Sequence, residues 1–90
     1  MRITKKEVYG MFRRFLSVIG EREAQKFNDT GGFNLDHNAT YGGYMIEKIG
    51  CDRGSVDHPF CSKRMNASEM YNALYFATCA FEFKQYKERE

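Results

Sequence analysis

The chain has no tryptophan, one proline (Pro59), and no apolar run near the ~20 residues that a membrane-spanning helix needs. Without tryptophan, the aromatic load falls on eight Phe and six Tyr, whose rings can fill a small core. With one proline, long stretches stay free for helix. The N-terminus shows no apolar signal segment either, so the expectation is a cytoplasmic protein with no membrane contact. In that reducing setting the three cysteines read as free thiols. Asn38-Ala39-Thr40 and Asn66-Ala67-Ser68 have the form of glycosylation sites but carry no meaning without secretion.

Charge of one sign is lacking too. A net charge of +2 does not announce a nucleic-acid binder. Its distribution says more: through Lys26 there are seven Lys/Arg against three acids, and from Phe27 to Phe60 two against five. The first helix is the one clearly basic element. What is present in quantity, 42% hydrophobic and 29% charged residues, describes a folded chain. Ninety residues make a single domain, 1–90, with no room for a second core.

Two helix starts stand out. In ITKKEV, Thr4 can cap the free N–H groups while Glu7 reaches back, and Ile3 and Val8 stand at staple spacing. Val8, Phe12, Phe15, Leu16 and Ile19 follow at helical spacing with Met11 at the edge, and Gly20 is the natural stop. EREAQKF could add a turn or two before the loop NDTGG. In MNASEM, Asn66 caps, Glu69 closes the box, and Met65 and Met70 make the staple. This second helix is expected from about Ala67 to about Tyr86, fraying through the polar residues 83–90. Met70, Leu74, Ala77 and Phe81 form one stripe. Tyr71, Tyr75, Phe76, Cys79 and Phe83 put apolar groups on much of the remaining circumference, more than one sheet can cover. Either helix one or a partner, including a second copy of the chain, must cover that other side.

Between the helices, GFNLDHN and GYMIEKIG alternate like strands, and SVDHPF suggests a short third strand that Pro59 confines to an edge. Phe33, Leu35 and His37 share one side of the first strand, while Tyr44, Ile46 and Lys48 oppose Met45, Glu47 and Ile49 in the second. The expected fold is α+β: helix, two- or three-stranded antiparallel sheet, helix, with both helices on one face of the sheet. Gly42-Gly43 leads into a strand rather than a helix N-terminus, so it reads as a hairpin turn and not a phosphate cradle. Tyr41 and Tyr44 bracket that turn.

Chemistry is sparse. His58 and Cys61, with Cys51 and His37, supply one close pair where zinc wants two, so no metal site is expected. Asp57, His58 and Cys61 have the residue types of a nucleophilic set without the spacing that would establish its geometry. Asp36, Glu47 and Asp57 read as exposed sheet carboxylates rather than an acid–base pair. The expectation is no enzyme and no cofactor. For nucleic acid, the candidates are Arg13 and Arg14 on helix one and the segment Ser62-Lys63-Arg64, of which Lys63 and Arg64 carry charge.

The run LDHNATYGGYMIEKI, followed by GSVDHPFCSKRMNASEMYNALYFA, resembles small uncharacterised accessory proteins encoded by bacteriophages and prophages. The resemblance spans about residues 33–83 and rests on Leu35-Asp36, Tyr41-Gly42-Gly43-Tyr44 and Ser68-Glu69-Met70-Tyr71. It implies a non-enzymatic protein that binds and modulates a host protein in the host cytoplasm, with anti-defence inhibition as the specific expectation. The candidate contact residues are Tyr41, Tyr44, Tyr71 and Tyr75, since aromatic rings give large contact area at low entropic cost. A homodimer through helix two is compatible with that reading. The alternative is a small nucleic-acid-binding protein using Arg13, Arg14, Lys63 and Arg64.

Overall fold

A computed structural model describes the whole chain except Met1, Phe27, Ala39, Tyr41, Asp52, Gly54, Cys61, Ser62 and Glu90. The fold is α+β, in the order α1 (Lys5–Ile19), β1 (Phe33–Asn38), β2 (Gly43–Ile49), β3 (Val56–Asp57) and α2 (Ala67–Glu88). Both helices start as their capping residues require. The Glu7 N–H donates to Thr4 Oγ1 at 3.2 Å and the Thr4 N–H to Glu7 Oε1 at 3.1 Å. Asn66 and Glu69 repeat the exchange at 2.8 and 3.0 Å. Each N-cap satisfies donors that would otherwise be orphaned, worth about 1 kcal/mol. α1 stops at Gly20, whose φ of 78° is left-handed.

The sheet is antiparallel with strand order β1-β2-β3. Its register sets Leu35 opposite Ile46 and His37 opposite Tyr44, which puts Phe33, Leu35, Tyr44 and Ile46 on one face. These four are buried in a single cluster with Val8, Met11, Phe12, Phe15 and Leu16 of α1 and with Met70 and Leu74 of α2. Val8, Phe12, Met70 and Leu74 are fully sealed from water. Burial of one such side chain is worth about 1.5–3 kcal/mol. Phe60 closes the cluster from the loop after β3, edge-on to Phe15 at 5.5 Å. The Tyr9 hydroxyl donates to Leu35 O at 3.0 Å. Partial burial, then the neighbouring Tyr44 and Asp36, raises the Tyr9 pKa and keeps it a donor.

Three expectations are corrected. Residues 21–26 do not prolong α1, and Phe27 lies outside the described residues; the chain turns at Gly20 and runs beside β1, with the Phe33 N–H donating to Arg22 O (2.9 Å) and the Ala24 N–H to Phe33 O (2.8 Å). Strand pairing on an open edge outcompetes another helical turn. α2 stays helical to Glu88 instead of fraying from residue 83, because its polar end is tied to α1: Gln85 Nε2 donates to Val18 O at 3.1 Å and Arg14 meets Glu82 at 3.3 Å. Its buried line is Met70, Leu74 and Thr78, while Phe81 lies at the rim, 36% exposed. Thr78 is accommodated because its hydroxyl donates to Leu74 O at 2.7 Å.

The start of α2 is joined to the sheet by Tyr44 and Met65, which exchange backbone hydrogen bonds at 2.7 and 2.9 Å. Only glycine permits this. A Cβ on Gly43 would stand 2.3 Å from Met65 O, and the φ of Gly43 is 112°. Gly42 also has positive φ, 94°, but faces open space. Gly43→Ala is therefore expected to cost about 3 kcal/mol, and Gly42→Ala about 1 kcal/mol from backbone strain alone. Urea unfolding of both variants measures this, and equal losses would contradict the close-approach account.

The segment between α1 and β1 is held by an acid. The Asp29 carboxylate accepts from the Arg22 guanidinium and from the Gln25 N–H at 2.9 Å, which lowers its pKa to about 2. A folded value below the ~3.9 of a free Asp means that the tie stabilises at neutral pH and fades as pH falls through about 4 to about 2. NMR titration is expected to place the Asp29 midpoint near 2, and Arg22→Ala to move it back towards ~3.9. An unmoved midpoint would exclude Arg22 as the cause.

Candidate functional site

α2 has two apolar sides, and the fold buries one. At 3.6 residues per turn, Met70, Leu74 and Thr78 point into the core, so Tyr75, Phe76, Cys79, Phe83 and Tyr86 lie on the outer half of the helix. Phe76 is 67% exposed, Phe83 64%, Tyr86 58% and Tyr75 42%. Tyr75 and Phe76 meet edge-to-face at 5.7 Å. α1 thus does not cover the second side of α2, because it packs beside the core stripe, and both Arg14 and Val18 meet α2 at its polar flank. Isolated exposed rings are ordinary on protein surfaces, but four on one side of one helix form a patch of the kind that marks an interaction site.

The tyrosines proposed as contacts divide. Tyr44 is a correction: it is 4% exposed and belongs to the core. The register turns it to the helix-covered face beside Ile46, and its ring lies 4.4 Å from that of His37. Tyr41 lies outside the described residues. Tyr71 is half-buried against the core and borders a shallow groove with Gly10, Met11 and Arg14. Tyr75 is open to solvent. Sequence reasoning put Phe76 and Phe83 on the apolar circumference of α2 without choosing them as contacts, and it passed over Tyr86. Spacing from Phe76 by seven and ten residues was the available signal.

The nucleic-acid candidates are mostly engaged within the chain. Arg13 Nε meets Glu23 Oε1 at 3.0 Å and Arg14 meets Glu82 at 3.3 Å. Arg64 is structural: it donates to Asp36 Oδ2 at 2.6 Å and to Gly43 O at 3.1 Å, tying the chain ahead of α2 to both long strands. Lys63 is exposed. No phosphate-sized cluster of open cations is formed by these four.

Of the candidate chemical groups, Asp36 is paired with Arg64, and Glu47 accepts from Asn34 at 3.2 Å and stands 3.8 Å from His58 Nε2. Asp57 is exposed on β3. Cys61 and Ser62 lie outside the described residues. Cys51 donates to Ser55 at 3.4 Å, and Cys79 is an exposed free thiol. Among the described residues no three His, Cys, Asp or Glu side chains gather as a metal-holding group. An open cleft of about 540 Å³ lies between the Ala24–Lys26 segment and the sheet, with Asn34, Glu47 and Ile49 on its floor. Its ionisable side chains are Lys26 and Glu47.

The chain matches no known protein family, no curated protein and no solved structure. No helix among the described residues is long and apolar enough to cross a membrane.

Tyr44→Ala is expected to destabilise the fold by about 3 kcal/mol or more, as a core ring deletion does, whereas Tyr75→Ala stays within about 0.5 kcal/mol. Thermal unfolding monitored by circular dichroism separates the two, and a neutral Tyr44→Ala would return Tyr44 to the surface.

Proposed function

We propose that this chain is a non-enzymatic binding module that docks onto another protein through the outer face of α2. The observation that carries the reading is the exposure of Tyr75, Phe76, Phe83 and Tyr86 on the side of the helix turned from the core. Burying such rings yields large apolar area while fixing only two side-chain torsions each, the economy that makes aromatics dominate binding hot spots. The helix is fully formed, capped and anchored at both ends before any partner arrives, so little ordering entropy opposes docking. The resemblance to phage-encoded accessory proteins makes a host protein, one serving in defence, the expected target. Nucleic-acid binding is the weaker reading, since Arg13, Arg14 and Arg64 already have acidic partners.

Affinity capture from host lysate with nuclease present tests this. A stoichiometric protein retained by the wild-type chain is expected to be lost, through an affinity drop on the order of 100-fold or more, with Phe76→Ser plus Phe83→Ser. The complex should tolerate rising salt, because few phosphate-type charges are involved. Retention of nucleic acid alone, released by salt, would overturn the reading in favour of the basic residues.

A further inference from the structure

The outer face of α2 has a period. Phe76, Cys79, Phe83 and Tyr86 follow at steps of three, four and three, with Asn72 four residues before Phe76. That is the spacing of a coiled-coil seam, in which successive side chains enter holes on a facing helix of the same kind. The seam runs over the solvent side of one continuous helix, Ala67–Glu88, and no described residue lies across it.

The exposed area fits a two-chain contact. With Phe76, Phe83, Tyr86 and Tyr75 exposed as they are, full covering removes on the order of 450 Å² of side-chain surface per copy. Two copies together then approach the ~1,000 Å² that a specific interface requires. The flanking charges favour a direction. Glu82, which also meets Arg14 of its own chain at 3.3 Å, borders the seam on one side and Lys87, five residues on, borders it on the other. In a parallel pair each Glu82 faces Lys87 of the second copy, twice by symmetry. An antiparallel pair covering all four seam residues instead brings Glu82 beside its own counterpart and gives Lys87 no acid of the second copy to face.

We propose that a second copy of this chain covers the outer face of α2, as a parallel two-fold pair with the two Cys79 side chains adjacent on the axis. This rests on the reading of that face as a docking surface and names its occupant in the isolated protein; a host protein docking there competes with the second copy.

Analytical ultracentrifugation of the full chain over a micromolar dilution series is the test, run beside Phe76→Glu plus Phe83→Glu. Both rings are exposed, and an unchanged circular dichroism spectrum certifies the fold. The expected result is a concentration-dependent dimer whose dissociation constant rises on the order of 100-fold or more in the variant. In a Cys51→Ser, Cys61→Ser background that keeps both rings, mild oxidation with copper phenanthroline is expected to yield a Cys79–Cys79 disulfide dimer. A chain that stays monomeric at every concentration overturns self-association, while the lysate capture by Phe76 and Phe83 still decides the docking reading. A dimer indifferent to the Phe76 and Phe83 changes overturns the assignment of this face to a second copy. A ring-dependent dimer in which Cys79 fails to cross-link overturns the parallel register.

Discussion

The backbone exchange between Tyr44 and Met65 is the contact on which the rest of this structure depends. It ties the residue just before the α2 cap to the first residues of β2, and it exists because Gly43 presents no Cβ to Met65 O. Arg64 reinforces it by reaching Asp36 on β1 and the carbonyl of Gly43 on β2. With the chain pinned there, Met65 and Met70 enter the core from either side of the cap and α2 can leave the sheet in one direction only. The face that α2 buries is therefore decided at its first turn, and the aromatic face follows as the remainder.

That remainder is large because α2 is apolar on two sides. In an ordinary amphipathic helix the side away from the core is polar, and hydration of that side costs nothing. Here Phe76, Phe83 and Tyr86 stay in water while the free energy available from their burial is unrealised. The polar end of the same helix is tethered by Gln85 and Glu82 to α1, which holds the rings on a rigid rod rather than a loose tail. A rigid, pre-formed aromatic surface supports a docking role, as an isolated chain or as half of a pair. The cations point the same way: Arg13 and Arg14 face acids of the chain itself, which weakens the case for a phosphate partner without adding any other chemistry.

Much of the architecture is legible from local rules. Thr4 with Glu7 and Asn66 with Glu69 announce their helices because capping is a contact between residues three apart, and Gly20 ends α1 for an equally local reason. Alternation in β1 and β2 gives the strand faces, since side chains must switch sides at every residue. The candidate site is less legible. Tyr41 and Tyr44 look equivalent around Gly42-Gly43, yet Tyr44 is core because the register opposite His37 turns it inward. Arg64 looks like one of a basic run, and only its approach to Asp36, 28 residues away, makes it structural.

By itself, then, the sequence determined where helices begin, where strands alternate and that α2 carries more apolar surface than one core can use, because each of these depends on neighbours within a turn or two. Tertiary structure alone decided which side of α2 is buried, that Arg22–Ala24 joins the edge of β1, and that residues 83–88 remain helical. Those outcomes rest on partners distant in the chain, Val18 for Gln85, Arg14 for Glu82 and Met65 for Tyr44, whose proximity no local pattern encodes.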